Sequence, residues 1–230
     1  MVYGPSGFGS PDPGSYGPGR YGDGRSPYGP GPARPQPPAP GRGERARAAA
    51  LVVLAWVALL WLLEALDVAS GHALDPYAVT PREFGELRDV VPAAFLHFGF
   101  GHLMANTVPL LILGFLAAVS GLRRFAGVVA VIILTSGLGV WLFAPAGTFT
   151  AGASGVVFGL FGYLLVRGFV DRRPTWVGIG LVVGILYGSI LWGALPTDSG
   201  ISWQGHLFGL LGGVLAAFLF REHRTEEQIR

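Results

Sequence analysis

The sequence predicts an all-α polytopic membrane protein, and three observations carry that reading. Hydrophobic residues fill 51% of the 230 positions and charged residues only 13%, about half the charged share of a soluble domain. Six apolar stretches follow one another, each near the ~20 residues that cross a bilayer as a helix. Arginines collect on alternate connecting segments, which is how topology is encoded. The chain has no Cys, so disulfides, thiolate nucleophiles and Cys-ligated metals are excluded.

Residues 1–45 hold Gly, Pro, Tyr, Ser and Arg, with Tyr-Gly-Pro recurring at Tyr3, Tyr16 and Tyr28. No apolar run exists there to form a core, so the segment reads as a disordered, solvated tail. It also lacks the apolar region of a cleavable signal peptide. The membrane domain is expected over residues 46–220, with a short charged tail over 221–230.

Span one runs from Ala46 to Leu66, led in by Arg42 and Arg45. A polar loop follows to about Ala94, with Pro76, Pro81, Arg82 and Arg88. Spans two to six cover about 101–119, 124–143, 154–170, 175–194 and 203–220. Fourteen of the sixteen arginines fall on the two tails and the turns after spans two and four. The other three loops hold only Arg82 and Arg88. The positive-inside rule therefore places both termini in the cytoplasm. Trp61, Trp141, Trp192 and Trp203 fall near the outer ends of their spans, where an interfacial belt would lie.

Gly152-Ala153-Ser154-Gly155 opens span four from the outer side. A hydroxyl there has two readings: a helix N-cap, or a nucleophile whose oxyanion the helix N-terminus helps to stabilise. Depth bears on the choice. Ser154 to Arg167 is 13 helical steps, about 20 Å, against a hydrocarbon core of ~30 Å. With Arg167 at the inner interface, Ser154 lies about 10 Å below the outer one, and the same arithmetic from Arg221 puts His206 at a similar level. The loops 144–153 and 193–202 must then dip into the membrane, which irregular backbone does only beside a protected or water-filled cavity.

Gly205, Gly209 and Gly213 recur every four residues in span six, and Gly155 and Gly159 give span four a matching face. Small residues let helices approach closely, so these two spans are expected to pack and to bring Ser154 and His206 within reach. His102 and Asn106, four apart at the outer end of span two, share a helical face and can donate hydrogen bonds to an oxyanion. His97 precedes them. No carboxylate accompanies these histidines and no His-Glu-x-x-His pattern is present, so no metal is expected.

The chain resembles the rhomboid family of intramembrane serine proteases. Three motifs carry the resemblance, in order and over residues 46–220: His97, His102 and Asn106; Gly152, Ser154 and Gly155; His206, Gly209 and Gly213. It implies a six-helix rhomboid-like bundle in a bacterial plasma membrane, with the site opening on the extracytoplasmic side. It implies a Ser154–His206 dyad, with His102, Asn106 and the Ser154 amide as oxyanion hole. It further implies a mobile cap over 193–202 and lateral substrate access past span five. The chain departs from the family pattern at three places. Phe158 stands where bacterial members often carry Tyr, and the first outer loop lacks a Trp-Arg pair. Ala117-Ala118-Val119-Ser120 lacks a Glu common at the end of span two. The partners implied are transmembrane protein substrates and the lipid bilayer, with no cofactor, metal or nucleic acid. Two alternatives stand beside this reading: a catalytically silent rhomboid-like protein that binds membrane clients, and a small proton-coupled transporter using the intramembrane histidines.

Overall fold

Apolar runs of this length leave backbone N–H and C=O groups no partner in lipid except each other, so they fold as helices. The computed structural model describes residues 41–196 and 200–222, and among these six α-helices follow in order. They are α1 (Arg42–Ala69), α2 (Phe100–Ala118), α3 (Leu122–Phe143), α4 (Ser154–Val170), α5 (Pro174–Tyr187) and α6 (Trp203–Leu219). The tail expected over 1–45 lies outside the described residues up to 40, and residues 42–45 are helical, forming the first turn of α1. The C-terminal tail lies outside them from residue 223.

Four of the six are long and apolar enough to cross a membrane: α1, α2, α3, and α5 with its continuation to Ala194. The α-helical part of α5 stops at Tyr187, and a 3-10 turn carries the chain on over Gly188–Ala194. α4 and α6 have 17 residues each, about 26 Å, short of the ~30 Å hydrocarbon core. Both begin late, at the serine and just before the histidine.

α4 is the axis of the bundle. Twelve of its 17 residues are buried, against two in α5. Its contact with α6 is as close as backbones allow. A methyl group at Gly209 would collide with the Gly155 carbonyl, and one at Gly213 with the Gly159 carbonyl. The expected pairing of small-residue faces is therefore present. Gly205 differs: the space beside it is filled from α3, by Val140 and Ser136.

The loop between α1 and α2 is pinned to the bundle. It forms 3-10 turns at Asp75–Tyr77, Phe84–Val90 and Pro92–Phe95. Val79 and Thr150 pair as an antiparallel bridge, joining it to the α3–α4 loop. Arg82 donates to the carbonyls of Leu142 and Ala144, at 3.2 and 2.9 Å, at the α3 C-terminus where a cation is favoured. Trp141 Nε1 donates to the Glu83 carbonyl at 3.2 Å, and Trp61 Nε1 to Thr107 Oγ1 at 3.1 Å. These two tryptophans, expected in an interfacial belt, are thus turned inward because their N–H groups find protein acceptors; Trp192 is 73% exposed.

At the opposite end of the bundle Arg167 is fully buried. Its Nε donates to Asp171 at 3.2 Å, and its guanidinium lies 3.8 Å from the Trp176 ring centroid. Arg124 bonds Asp171 at 2.9 Å and Glu222 at 2.8 Å, and Arg173 bonds Glu222 at 2.8 Å. The acids that pair with Arg167 are Asp171 on the next turn and Glu222 beyond α6, so its charge is met inside the protein.

Candidate active site

α4 and α6 start side by side, so their first residues meet. His206 Nε2 lies 2.9 Å from Ser154 Oγ. His206 Nδ1 lies 2.8 Å from the Gly193 carbonyl oxygen. A carbonyl only accepts, so Nδ1 carries the proton and donates, which leaves the Nε2 lone pair to accept from the serine hydroxyl. The Phe158 ring stacks on the imidazole, with centroids 4.1 Å apart and planes 7° apart. Two contacts therefore set the orientation of the histidine: a carbonyl at one edge and an aromatic face beneath.

Ser154 is the first residue of α4, and Ala153, not Ser154, occupies the N-cap position. The first N–H groups of a helix have no intrahelical partner, so the Ser154 amide points free of the helix ladder. Gly152 holds φ +137°, and a methyl there would lie 2.7 Å from His102 Cε1. Only glycine combines that backbone with so close a ring. The Gly152 N–H donates to the Ala93 carbonyl at 2.9 Å.

His97 supports this turn from below. Its Nε2 accepts the Ala153 N–H at 3.2 Å. His97 precedes α2, and burial, with His102 beside it, pushes its imidazole down to about 4. It is therefore neutral at physiological pH, as an acceptor nitrogen requires. The His97 and His102 rings meet edge to face, 5.2 Å apart.

His102, Asn106, Ser154, Phe158 and His206 line one groove of about 330 Å³. Asn106 Nδ2 donates to the His102 carbonyl at 3.1 Å; an amide nitrogen has a second hydrogen, left for the groove. Gly155 and Gly209 sit at the helix crossing just below the pair, with Gly213 a turn further in. Of the candidate residues, five line the groove, His97 and Gly152 hold the turn before Ser154, and Gly155, Gly209 and Gly213 lie in the α4–α6 contact. Residues 197–199 of the expected cap lie outside the described residues.

Two contributors escaped the sequence reading. One is the Gly193 carbonyl, a backbone group with no side-chain signal. The other is Ser136 of α3, whose hydroxyl donates to the Gly205 carbonyl at 2.8 Å, tying the residue before His206 to α3. A lone intramembrane Ser was the available clue, but such hydroxyls commonly bond their own helix.

This fold and groove define a polytopic membrane protein with a serine–histidine pair at the mouth of two short helices. A Rhomboid domain model matches residues 85–223. Over 175 residues the chain is 46% identical to an uncharacterised protein of Mycobacterium tuberculosis, covering 73% of each chain. An uncharacterised protein of Mycobacterium leprae is 41% identical over 175 residues, 73% of this chain and 69% of its own. Rhomboid protease GlpG of Yersinia enterocolitica is 30% identical over 164 residues, 66% of this chain and 56% of its own. The chain belongs to the rhomboid family, a family of intramembrane proteases.

Proposed function

We propose that the chain is an intramembrane serine endopeptidase that cleaves transmembrane segments near the outer face of a bacterial plasma membrane. One observation carries the reading: the Ser154 hydroxyl faces a His206 whose proton is committed to Gly193, so the free lone pair is aimed at the nucleophile.

The chemistry follows from that geometry. His206 Nε2 takes the Ser154 proton as Oγ attacks a peptide carbonyl carbon. The negative charge moves to the carbonyl oxygen, where His102, the Asn106 amide and the Ser154 N–H are disposed to donate to it. The tetrahedral adduct collapses, the C–N bond breaks, and the Nε2 proton passes to the leaving amine. Water then attacks the Ser154 ester, giving its proton to His206; the C–Oγ bond breaks, His206 returns the proton to Oγ, and the carboxyl product leaves. A recess of about 40 Å³ beside Ser154, mainly apolar but reached by Ser136, Thr150 and Ser202, is large enough for a water. Among the described residues no carboxylate orients the histidine; the Gly193 carbonyl takes that position.

A helical substrate hides its own carbonyls, so a cleavable segment carries helix-weakening residues near its outer end. Both termini lie in the cytoplasm and the groove opens outward, a topology supported by the arginine distribution. Fluorophosphonate labelling of purified protein tests the reading. Wild type is expected to label, and Ser154→Ala and His206→Ala are expected not to. A folded wild type that never labels would oppose a reactive serine.

A further inference from the structure

The end of the bundle opposite Ser154 holds a second cavity, of about 570 Å³, between the start of α1, the α2–α3 turn and Glu222 beyond α6. Arg45, Ser120, Arg123 and Arg124 line it together with Glu44 and Glu222. Both acids are already engaged. Glu44 accepts the Gly41 N–H at 3.0 Å, and Glu222 holds Arg124 and Arg173 at 2.8 Å each.

The donors beneath the cavity outnumber their acceptors. Arg167, 1% exposed, donates to Ser120 Oγ on the cavity wall. Its Nη2, which stands 3.6 Å from Glu222 Oε1, and the Nε of Arg124 are buried without a hydrogen bond among the described residues, and so is the Tyr163 hydroxyl. Asp171 is saturated by Arg124, Arg167 and the Glu222 N–H. Buried donors left unpaired are costly. The first turn of α3 faces the same space, and no side chain caps its N-terminus, so its open N–H groups add to the demand for an acceptor.

An anion with several acceptor oxygens answers this arrangement, and arginines favour phosphate. The walls say where that phosphate comes from. Ala48, Ala118 and Leu122 complete the cavity, and α1 continues from it with Leu51, Val52 and Leu54 exposed to lipid. A charged head would sit in the cavity while acyl chains ran along α1. We propose that this cavity binds the phosphate of an anionic phospholipid headgroup. Basic pockets at the ends of transmembrane helices suit such headgroups. Nothing in the site depends on Ser154.

The test uses the full chain carrying Ser154→Ala, purified in a neutral detergent. Four additions are compared: a phosphatidylglycerol, a phosphatidylcholine, glycerol phosphate and inorganic phosphate. Native mass spectrometry reads retained lipid, and thermal unfolding reads stabilisation. Phosphatidylglycerol is expected to stay bound and to raise the midpoint by about 4 °C at tenfold excess over its Kd. Phosphatidylcholine and the soluble phosphates are expected to move it by less than about 1 °C. Arg45 and Arg123 are exposed, so Arg45→Ala/Arg123→Ala is expected to fold and, measured against its own lipid-free midpoint, to lose both adduct and shift. Arg123→Lys, which keeps the charge, is expected to retain part of each. Equal shifts with both lipids, or an undiminished adduct in the double variant, would overturn the site. Glycerol phosphate matching the lipid would overturn its membrane source.

Discussion

The Gly193 carbonyl oxygen stands 2.8 Å from His206 Nδ1, and that bond fixes which nitrogen of the histidine faces Ser154. A methyl at residue 193 would lie 3.1 Å from Phe158 Cζ and 3.3 Å from His206 Nδ1. Both rings would have to give by a few tenths of an ångström. Gly193→Ala is therefore expected to lower kcat on the order of ten-fold, with KM little changed, because small misplacements of reacting groups are costly. Steady-state cleavage of a transmembrane substrate checks this. An unchanged kcat would show that the anchor tolerates displacement.

Gly213→Ala tests the α4–α6 contact. The added methyl meets the Gly159 carbonyl, a backbone group that cannot rotate away. The helices must part, at a cost of about 1–3 kcal/mol, and the serine and histidine part with them. A lower unfolding midpoint together with a lower kcat is expected. A stable variant of full activity would mean that the crossing has slack.

His97 sets a pH dependence. Its folded value, near 4, lies below the ordinary value of 6.5, so the unfolded chain takes up the proton first as pH falls. Stability from the neutral buried ring is whole above about 6.5 and is lost progressively toward pH 4. His97→Gln keeps an acceptor for the Ala153 N–H but does not titrate. Its unfolding midpoint is expected to fall less than that of wild type between pH 7.5 and pH 5. Parallel curves would remove His97 from the acid response.

Asp171 stands under Arg124 and Arg167. Burial opposes its charge, but the Glu222 N–H and the two arginines outweigh it and hold the carboxyl below its ordinary range. Asp171→Asn removes the closer counter-charge of Arg167 and leaves both guanidinium groups to share Glu222, 2.8 Å from Arg124 and 3.6 Å from Arg167. A loss of about 3–5 kcal/mol is expected, as for a broken buried pair. Arg167→Met/Asp171→Leu is expected to be milder, since it removes the partners together. Thermal unfolding of both variants decides, and a harmless Asp171→Asn would mean that Glu222 alone suffices.

Much of this architecture was legible before any coordinates, for physical reasons. Long apolar runs have one solution in lipid, so the helices were readable to within a few residues, apart from the change to a 3-10 turn after Tyr187. Glycines at four-residue spacing announced which helices pack, and those helices carry Ser154 and His206. What stayed hidden depends on groups brought in by tertiary packing. The Gly193 carbonyl reaches His206 only because the chain returns past it. The burial of Arg167 stayed hidden because Glu222, one of its two acids, lies beyond α6. Ser136 was silent because its hydroxyl bonds across helices to a backbone carbonyl.

The central claim is that Ser154 and His206 act as a proteolytic pair inside the membrane. Its most direct test is cleavage of a transmembrane substrate in proteoliposomes, comparing wild type, Ser154→Ala and His206→Ala. Wild type is expected to cut within the outer part of the segment, and each variant is expected to lose activity by about 10³-fold or more. Cleavage that survives Ser154→Ala would contradict the account.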